Sequence, residues 1–124
     1  MKVLLIDDNQ EICEAAEFYL ESQGIECKVL NEGRKGLESI RNNNENFDVI
    51  LLDLAIPEFS GYHIFNVLKE EGLLKSNNVM LFTASNLSDD KKQKMSLDGA
   101  TGVLRKPLSI DELGDAIKRF QRCT

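Results

Sequence analysis

Four runs of consecutive apolar residues punctuate the chain: Val3-Leu4-Leu5-Ile6, Val49-Ile50-Leu51-Leu52, Val79-Met80-Leu81-Phe82 and the shorter Val103-Leu104 within 102-105. They are continuous rather than alternating, which is expected of strands whose two faces are both covered by helices in a parallel sheet. A weaker stretch, Ile25–Leu30, completes a series of five. Between the runs lie helical segments with start and stop signals. Asn9 can cap a helix that carries Ile12, Ala16, Tyr19 and Leu20 on one face, and Gly24 stands where a left-handed terminator is wanted. Ser60 can cap a helix bearing Ile64, Val67 and Leu68 that stops near Gly72, and Ser88 precedes the acidic pair Asp89-Asp90 at another helix start. Ser109 and Glu112 match a capping box, followed by an inward stripe of Leu113, Ile117 and Phe120. Strand and helix alternate throughout, and Asn42-Asn43-Asn44 is only a polar loop. The pattern predicts an α/β fold, a doubly wound five-stranded parallel sheet with about five helices on its two faces and right-handed crossovers.

Length and charge narrow the picture. At 124 residues the chain has the size of one domain with one core, 1-124. Its 15 basic and 21 acidic residues, formal charge -6, argue against direct nucleic-acid binding or attraction to an anionic membrane, so partners are expected to be proteins. No stretch approaches a membrane span and the start shows no signal-peptide pattern, which together predict a cytoplasmic protein. Cys13, Cys27 and Cys123 lack metal or redox spacing and read as reduced thiols. His63, the single histidine, reads as a solvated helix residue.

The candidate chemistry lies where the apolar runs end. The first ends at Asp7-Asp8, the second at Asp53, the third at Thr83 and the last at Lys106. In a doubly wound sheet these positions share the carboxyl edge, where ligands bind at the point of strand-order reversal. Clustered carboxylates repel one another unless a hard cation such as Mg²⁺ intervenes. Asp8 and Asp53 are expected as direct ligands, Asp7 as a ligand through water, and the backbone carbonyl of Ala55 as a neutral donor. Asp53 could then accept a phosphoryl group, with Lys106 binding a phosphoryl oxygen as a point charge and Thr83 donating its hydroxyl to another. Pro107 admits a cis bond after Lys106, which would set the loop and the lysine's direction.

Taken together, Asp7-Asp8, the motif Asp53-Leu54-Ala55-Ile56-Pro57 with Gly61, Thr83 followed by Ala84, and Lys106-Pro107 resemble the receiver domains of two-component response regulators, the CheY-like family, over essentially the whole chain. The resemblance implies strand order 2-1-3-4-5 and transfer of phosphate to Asp53 from a histidine kinase or histidine phosphotransfer protein. It further implies dependence on Mg²⁺, with Mn²⁺ as a substitute, and self-catalysed hydrolysis, so that the domain catalyses only its own phosphorylation and dephosphorylation. Added charge on Asp53 would draw Thr83 inward. The face made by Ser88–Asp98, Thr101–Arg105 and Asp111–Gln121 would pass the signal to a downstream protein or to a phosphorylation-dependent homodimer. Lys91, Lys92 and Lys94 on that face read as solvated rather than as a specific patch. Where family members commonly carry Tyr or Phe three residues before the lysine, this chain has Val103, so the switch would either propagate more weakly or use another element such as Phe82 or Leu104. Ala55 and Ser85, by resemblance, tune the access of water to the acyl phosphate.

Three alternative functions share parts of this pattern. A haloacid dehalogenase-like phosphohydrolase needs an acid two residues after its nucleophile, where this chain has Ala55 after Asp53 and Asn9 after Asp7. A flavodoxin-like nucleotide binder would set its phosphate against Asp7-Asp8-Asn9, which repels it. A receiver-like docking module that is never phosphorylated is the remaining competitor, and intact Asp53, Thr83 and Lys106 argue against it. With the chain ending after its last helix, no output domain is expected within it, whether the regulator stands alone or is an excised piece of a larger protein.

Overall fold

A computed structural model describes residues 1–42, 46–56, 60–74, 77–83, 88–106 and 109–121, with Phe120 and Gln121 described by backbone alone. Pro57, Ala84, Ser85, Pro107, Cys123 and the Phe120 side chain, all named above, lie outside the described residues. Strands and helices alternate in the order β1 (Lys2–Ile6), α1 (Gln10–Ser22), β2 (Glu26–Leu30), α2 (Gly33–Arg41), β3 (Val49–Asp53), α3 (Gly61–Glu70), β4 (Val79–Thr83), α4 (Asp89–Asp98), β5 (Gly102–Arg105) and α5 (Ile110–Gln121). The sheet is parallel throughout and ordered β2-β1-β3-β4-β5.

Side-chain alternation along the strands divides the core into two layers. Leu4, Ile6, Ile50, Leu52, Val79 and Leu81 face α2, α3 and α4, meeting Leu37, Ile40, Ile64, Phe65, Leu68 and Met95. Val3, Leu5, Val49, Leu51, Met80, Phe82 and Leu104 face α1 and α5, meeting Cys13, Ala16, Leu20, Leu113, Ala116 and Ile117. Burial on both faces explains why β3 and β4 are buried at every position and read as unbroken apolar runs. Each fully buried aliphatic side chain contributes about 1.5–3 kcal/mol.

The expected caps form. Asn9 accepts from the Ile12 N–H at 3.1 Å, Ser60 from His63 at 3.3 Å, Ser88 from Lys91 at 3.2 Å and Ser109 from Glu112 at 3.3 Å. Gly24 follows α1 with φ 76° and Gly72 follows α3 with φ 72°, the left-handed conformation those stops require. His63 is exposed, as expected. Helix α2 had no clear signature in the sequence: its cap position, Glu32, makes no side-chain cap bond, and two of its nine residues are glycine. Gly36 is there because Ile6 of β1 occupies the space a Cβ would need, with the Ile6 Cγ1 2.9 Å from that position.

Candidate functional site

β1 runs to β2 on one side and the chain returns through β3 on the other, so the carboxyl ends of β1 and β3 flank the reversal of strand order. Asp7 follows β1 directly, Asp53 is the last residue of β3, Thr83 the last of β4, and Lys106 follows β5. Four residues separated by up to a hundred positions thus share one edge. Asp7, Asp53 and Thr83 are buried, while Asp8 is exposed at the rim.

Ligand oxygens of Asp7, Asp8 and Asp53 all lie within 4.8 Å of one another. Lys106 enters this cluster with its Nζ 3.0 Å from Asp7 Oδ2 and 3.4 Å from Asp53 Oδ2. The same ammonium stands 5.2 Å from the centroid of the Phe82 ring, a cation–π distance. The lysine is placed by the backbone as well: its N–H donates to the Thr83 carbonyl at 2.9 Å, tying the end of β5 to the end of β4.

Asp53 Oδ1 accepts from the Ala55 N–H at 3.1 Å, a local turn that orients the carboxylate. Behind it, α3 starts so close to β3 that a Cβ at Gly61 would collide with the Asp53 carbonyl oxygen and stand 2.6 Å from the Leu54 Cα. Glycine at the head of α3 is therefore a condition of the Asp53 geometry. Burial raises the Asp53 pKa above the ordinary carboxylate value; the Ala55 N–H opposes this, Asp7 adds to it and Lys106 works against it. For Lys106 burial pulls the other way, but the hydrogen bond and charge of Asp7, followed by the charge of Asp53, outweigh it and raise its pKa.

Among the described residues, three carboxylates against one ammonium leave the edge electronegative, and buried Asp7 Oδ2 has no partner beyond its ion contact with Lys106. Hard oxygen donors in excess of positive charge, clustered within 4.8 Å, fit a small divalent cation such as Mg²⁺. Of the residues read from the sequence, Asp7, Asp53 and Lys106 are brought together by ion contacts, Asp8 lies within 4.8 Å of the other carboxylates, and Thr83 is placed on the same edge. Val103 pairs with Leu81, two residues before Thr83 on β4, and so shares the sheet face of Thr83. Two residues escaped the sequence reading. Cys13 is buried in the α1 face and Asn31 follows β2, and both reach the Asp7 carbonyl. A polar residue just past the end of β2, the strand that pairs with β1, was the available signal for Asn31; for Cys13 there was none beyond its place in the buried face of α1.

The family model of the response regulator receiver domain matches residues 3–118. The chain is 33% identical over 120 residues to the transcriptional regulatory protein CrdR of Helicobacter pylori, covering 96% of this chain and 54% of that protein. It is 33% identical over 121 residues to the CpxR homolog of Haemophilus influenzae, covering 98% and 50%. The chain thus spans about half the length of the curated relatives it matches. Among solved structures, the receiver domain of the Francisella response regulator 1452 superposes with TM-score 0.85 at 29% identity, covering 99% of this chain and 98% of that one. The chemotaxis protein CheY4 of Vibrio cholerae superposes with TM-score 0.82 at 28% identity, covering 96% and 97%. No helix among the described residues is long and apolar enough to cross a membrane. With its fold, its acidic edge and these relatives in agreement, the chain belongs to the phosphoacceptor receiver domains of two-component response regulators.

Proposed function

We propose that Asp53 is the residue of this receiver that accepts the phosphoryl group, with Asp7, Asp8, Thr83 and Lys106 completing the site, in a unit formed by residues 1-124. The observation that carries the reading is the position of Lys106 Nζ, 3.0 Å from Asp7 and 3.4 Å from Asp53 in a cluster of three carboxylates. An ammonium held this way is poised to meet the oxygens of an incoming phosphoryl group.

An Asp53 carboxylate oxygen attacks phosphorus on a phosphohistidine; the new P–O bond forms as the P–N bond breaks, and the imidazole leaves with the electron pair. The Ala55 N–H, bonded to Oδ1, holds the carboxylate's plane during attack. Lys106 exchanges part of its contact with Asp7 and Asp53 for a phosphoryl oxygen, and the Thr83 hydroxyl donates to another. Asp8, Asp53 and the Ala55 carbonyl would hold Mg²⁺ directly, and Asp7 would do so through water. When bound, the ion neutralises charge between carboxylates and phosphoryl oxygens. Hydrolysis reverses the modification when water attacks the same phosphorus and Asp53 leaves as carboxylate.

The donor is a histidine kinase or phosphotransfer protein, the compartment the cytoplasm, and the output a protein contact made by α4, β5 and α5 or a homodimer formed through them. Since the curated relatives are about twice as long, that output in a longer chain would be an attached domain. With Val103 in place of a ring, the switch runs from Thr83 through its neighbour Phe82, whose ring already senses Lys106.

The test is amide NMR with beryllofluoride, with and without Mg²⁺, on wild type and Asp53→Asn. Metal-dependent shifts around Asp53, Thr83 and Lys106 that the variant loses support the reading. Their absence in the wild type would favour a docking module that is not phosphorylated.

A further inference from the structure

Asp7 is held at each of its polar atoms. Its N–H donates to the Leu30 carbonyl at 3.1 Å, extending the β1–β2 ladder past the strand. Its Oδ1 accepts from the Asn9 N–H at 2.9 Å, and its Oδ2 meets Lys106 at 3.0 Å. The remaining atom, the carbonyl oxygen, accepts from two side chains: Asn31 Nδ2 at 2.9 Å and Cys13 Sγ at 3.3 Å. The two donors also touch each other, 3.7 Å apart. Three elements, the end of β1, the first turn of α1 and the connection after β2, therefore meet at one oxygen.

That oxygen belongs to the planar peptide whose other end is the Asp8 N–H. Fixing it fixes the peptide plane from which Asp8 projects. Asp8 is the exposed member of the carboxylate cluster, so its direction is set by its backbone more than by packing. The donors are unequal: an amide N–H is a strong donor and a thiol a weak one. Asn31 supplies most of the hold, and Asp8, Cys13 and Asn31 border one open groove beside the cluster.

We infer that Asn31, assisted by Cys13, is a positioning residue that clamps the Asp7–Asp8 peptide and thereby sets the affinity of the acidic cluster for a divalent cation. The inference rests on the cation-binding reading given above. Partners that orient ligands in this way commonly shift metal affinity tenfold or more when removed. Asn31 is itself exposed and contributes little to the core, so positioning and folding separate cleanly in experiment.

The test is titration of the metal-free protein with Mg²⁺ alone, followed by amide shifts, beside thermal melting in chelator. Asn31→Leu, which keeps the branched shape and removes the donor, should bind Mg²⁺ about tenfold more weakly while its melting stays near wild type. Asn31→Gln, which keeps an amide, should recover part of the affinity. An affinity for Asn31→Leu within about twofold of wild type, or equal losses in the Leu and Gln variants, overturns the clamp while leaving the metal site standing. Should Asn31→Leu fail to give a folded spectrum, Asn31→Ser decides by the same comparison, with weakened binding supporting the clamp and unchanged binding overturning it. A wild type without saturable Mg²⁺ shifts that Asp8→Asn abolishes would remove the metal-site reading and the clamp together.

Discussion

Lys106 Nζ lies 3.0 Å from Asp7 Oδ2, nearer than the 3.4 Å that separates it from Asp53 Oδ2. The ammonium is thus anchored to Asp7 and leans toward Asp53, the proposed phosphoacceptor. Removing it leaves two buried carboxylates facing each other without a counter-charge. Lys106→Met should destabilise the metal-free protein by about 3 kcal/mol, the scale for stripping one partner from a buried pair, and Mg²⁺ should restore much of the loss. Urea unfolding with and without Mg²⁺ checks this; equal stability of variant and wild type in chelator would contradict it.

Asp53 gives a pH dependence of definite sign. Burial raises its native pKa above the ordinary 3.8, so the folded state resists ionisation that the unfolded state allows. The resulting penalty is absent below 3.8, grows as pH rises through the raised native value, and is full above it. Asp53→Asn, without that group, should therefore gain stability over wild type as pH rises, in the absence of divalent cations. Paired melts in chelator from about pH 3 to pH 8 read the difference; a gap between the two proteins that does not widen with pH would contradict it.

Gly61 and Gly24 separate two reasons for glycine. At Gly61 a Cβ would meet the Asp53 carbonyl and the Leu54 backbone, whereas at Gly24, with φ 76°, nothing lies within 4 Å. Gly24→Ala should cost about 1 kcal/mol through its dihedral alone and leave phosphorylation unchanged. Gly61→Ala should cost about 2 kcal/mol or more and slow phosphorylation by shifting Asp53. Rates with acetyl phosphate beside denaturant midpoints decide; equal phosphorylation by both variants would show that Asp53 does not depend on the close approach of α3.

Burial pushes the Cys13 thiol up to about 11 and the Cys27 thiol up to about 12 from the usual 9.0, with Asp7 and Glu17 respectively adding to the effect. Both should resist alkylation at pH 8 until the chain unfolds. Because the unfolded thiols ionise first, stability should fall as pH rises from 9.0 toward 11. Mass-resolved alkylation of Cys123→Ser, folded and in urea, tests the first point, and melts across that range test the second. Rapid native labelling of Cys13 would contradict its burial.

The strands and their common edge were legible because burial on both faces leaves continuous apolar runs, and because a chemical residue closes each run, as Asp53 does β3 and Thr83 does β4. Helices with polar caps, such as those begun by Asn9 and Ser88, were equally plain. Helix α2 was not, since it begins without a side-chain cap and is held by close packing of Gly36 on Ile6, a tertiary cause. Lys106 was expected to meet a phosphoryl group; its closer approach to Asp7 joins the ends of two strands that do not pair, beyond the reach of any local pattern. The hold of Asn31 on the Asp7 carbonyl joins residues 24 apart through strand pairing, and no local pattern announces it.

The most direct measurement is to phosphorylate the protein in Mg²⁺, reduce the acyl phosphate with borohydride, and locate the resulting homoserine by peptide mass mapping. Homoserine at position 53, dependent on Mg²⁺ and absent when phosphorylation is omitted, is the predicted result. Homoserine at position 7 or 8, or none in a protein shown to be folded, would contradict the assignment of Asp53.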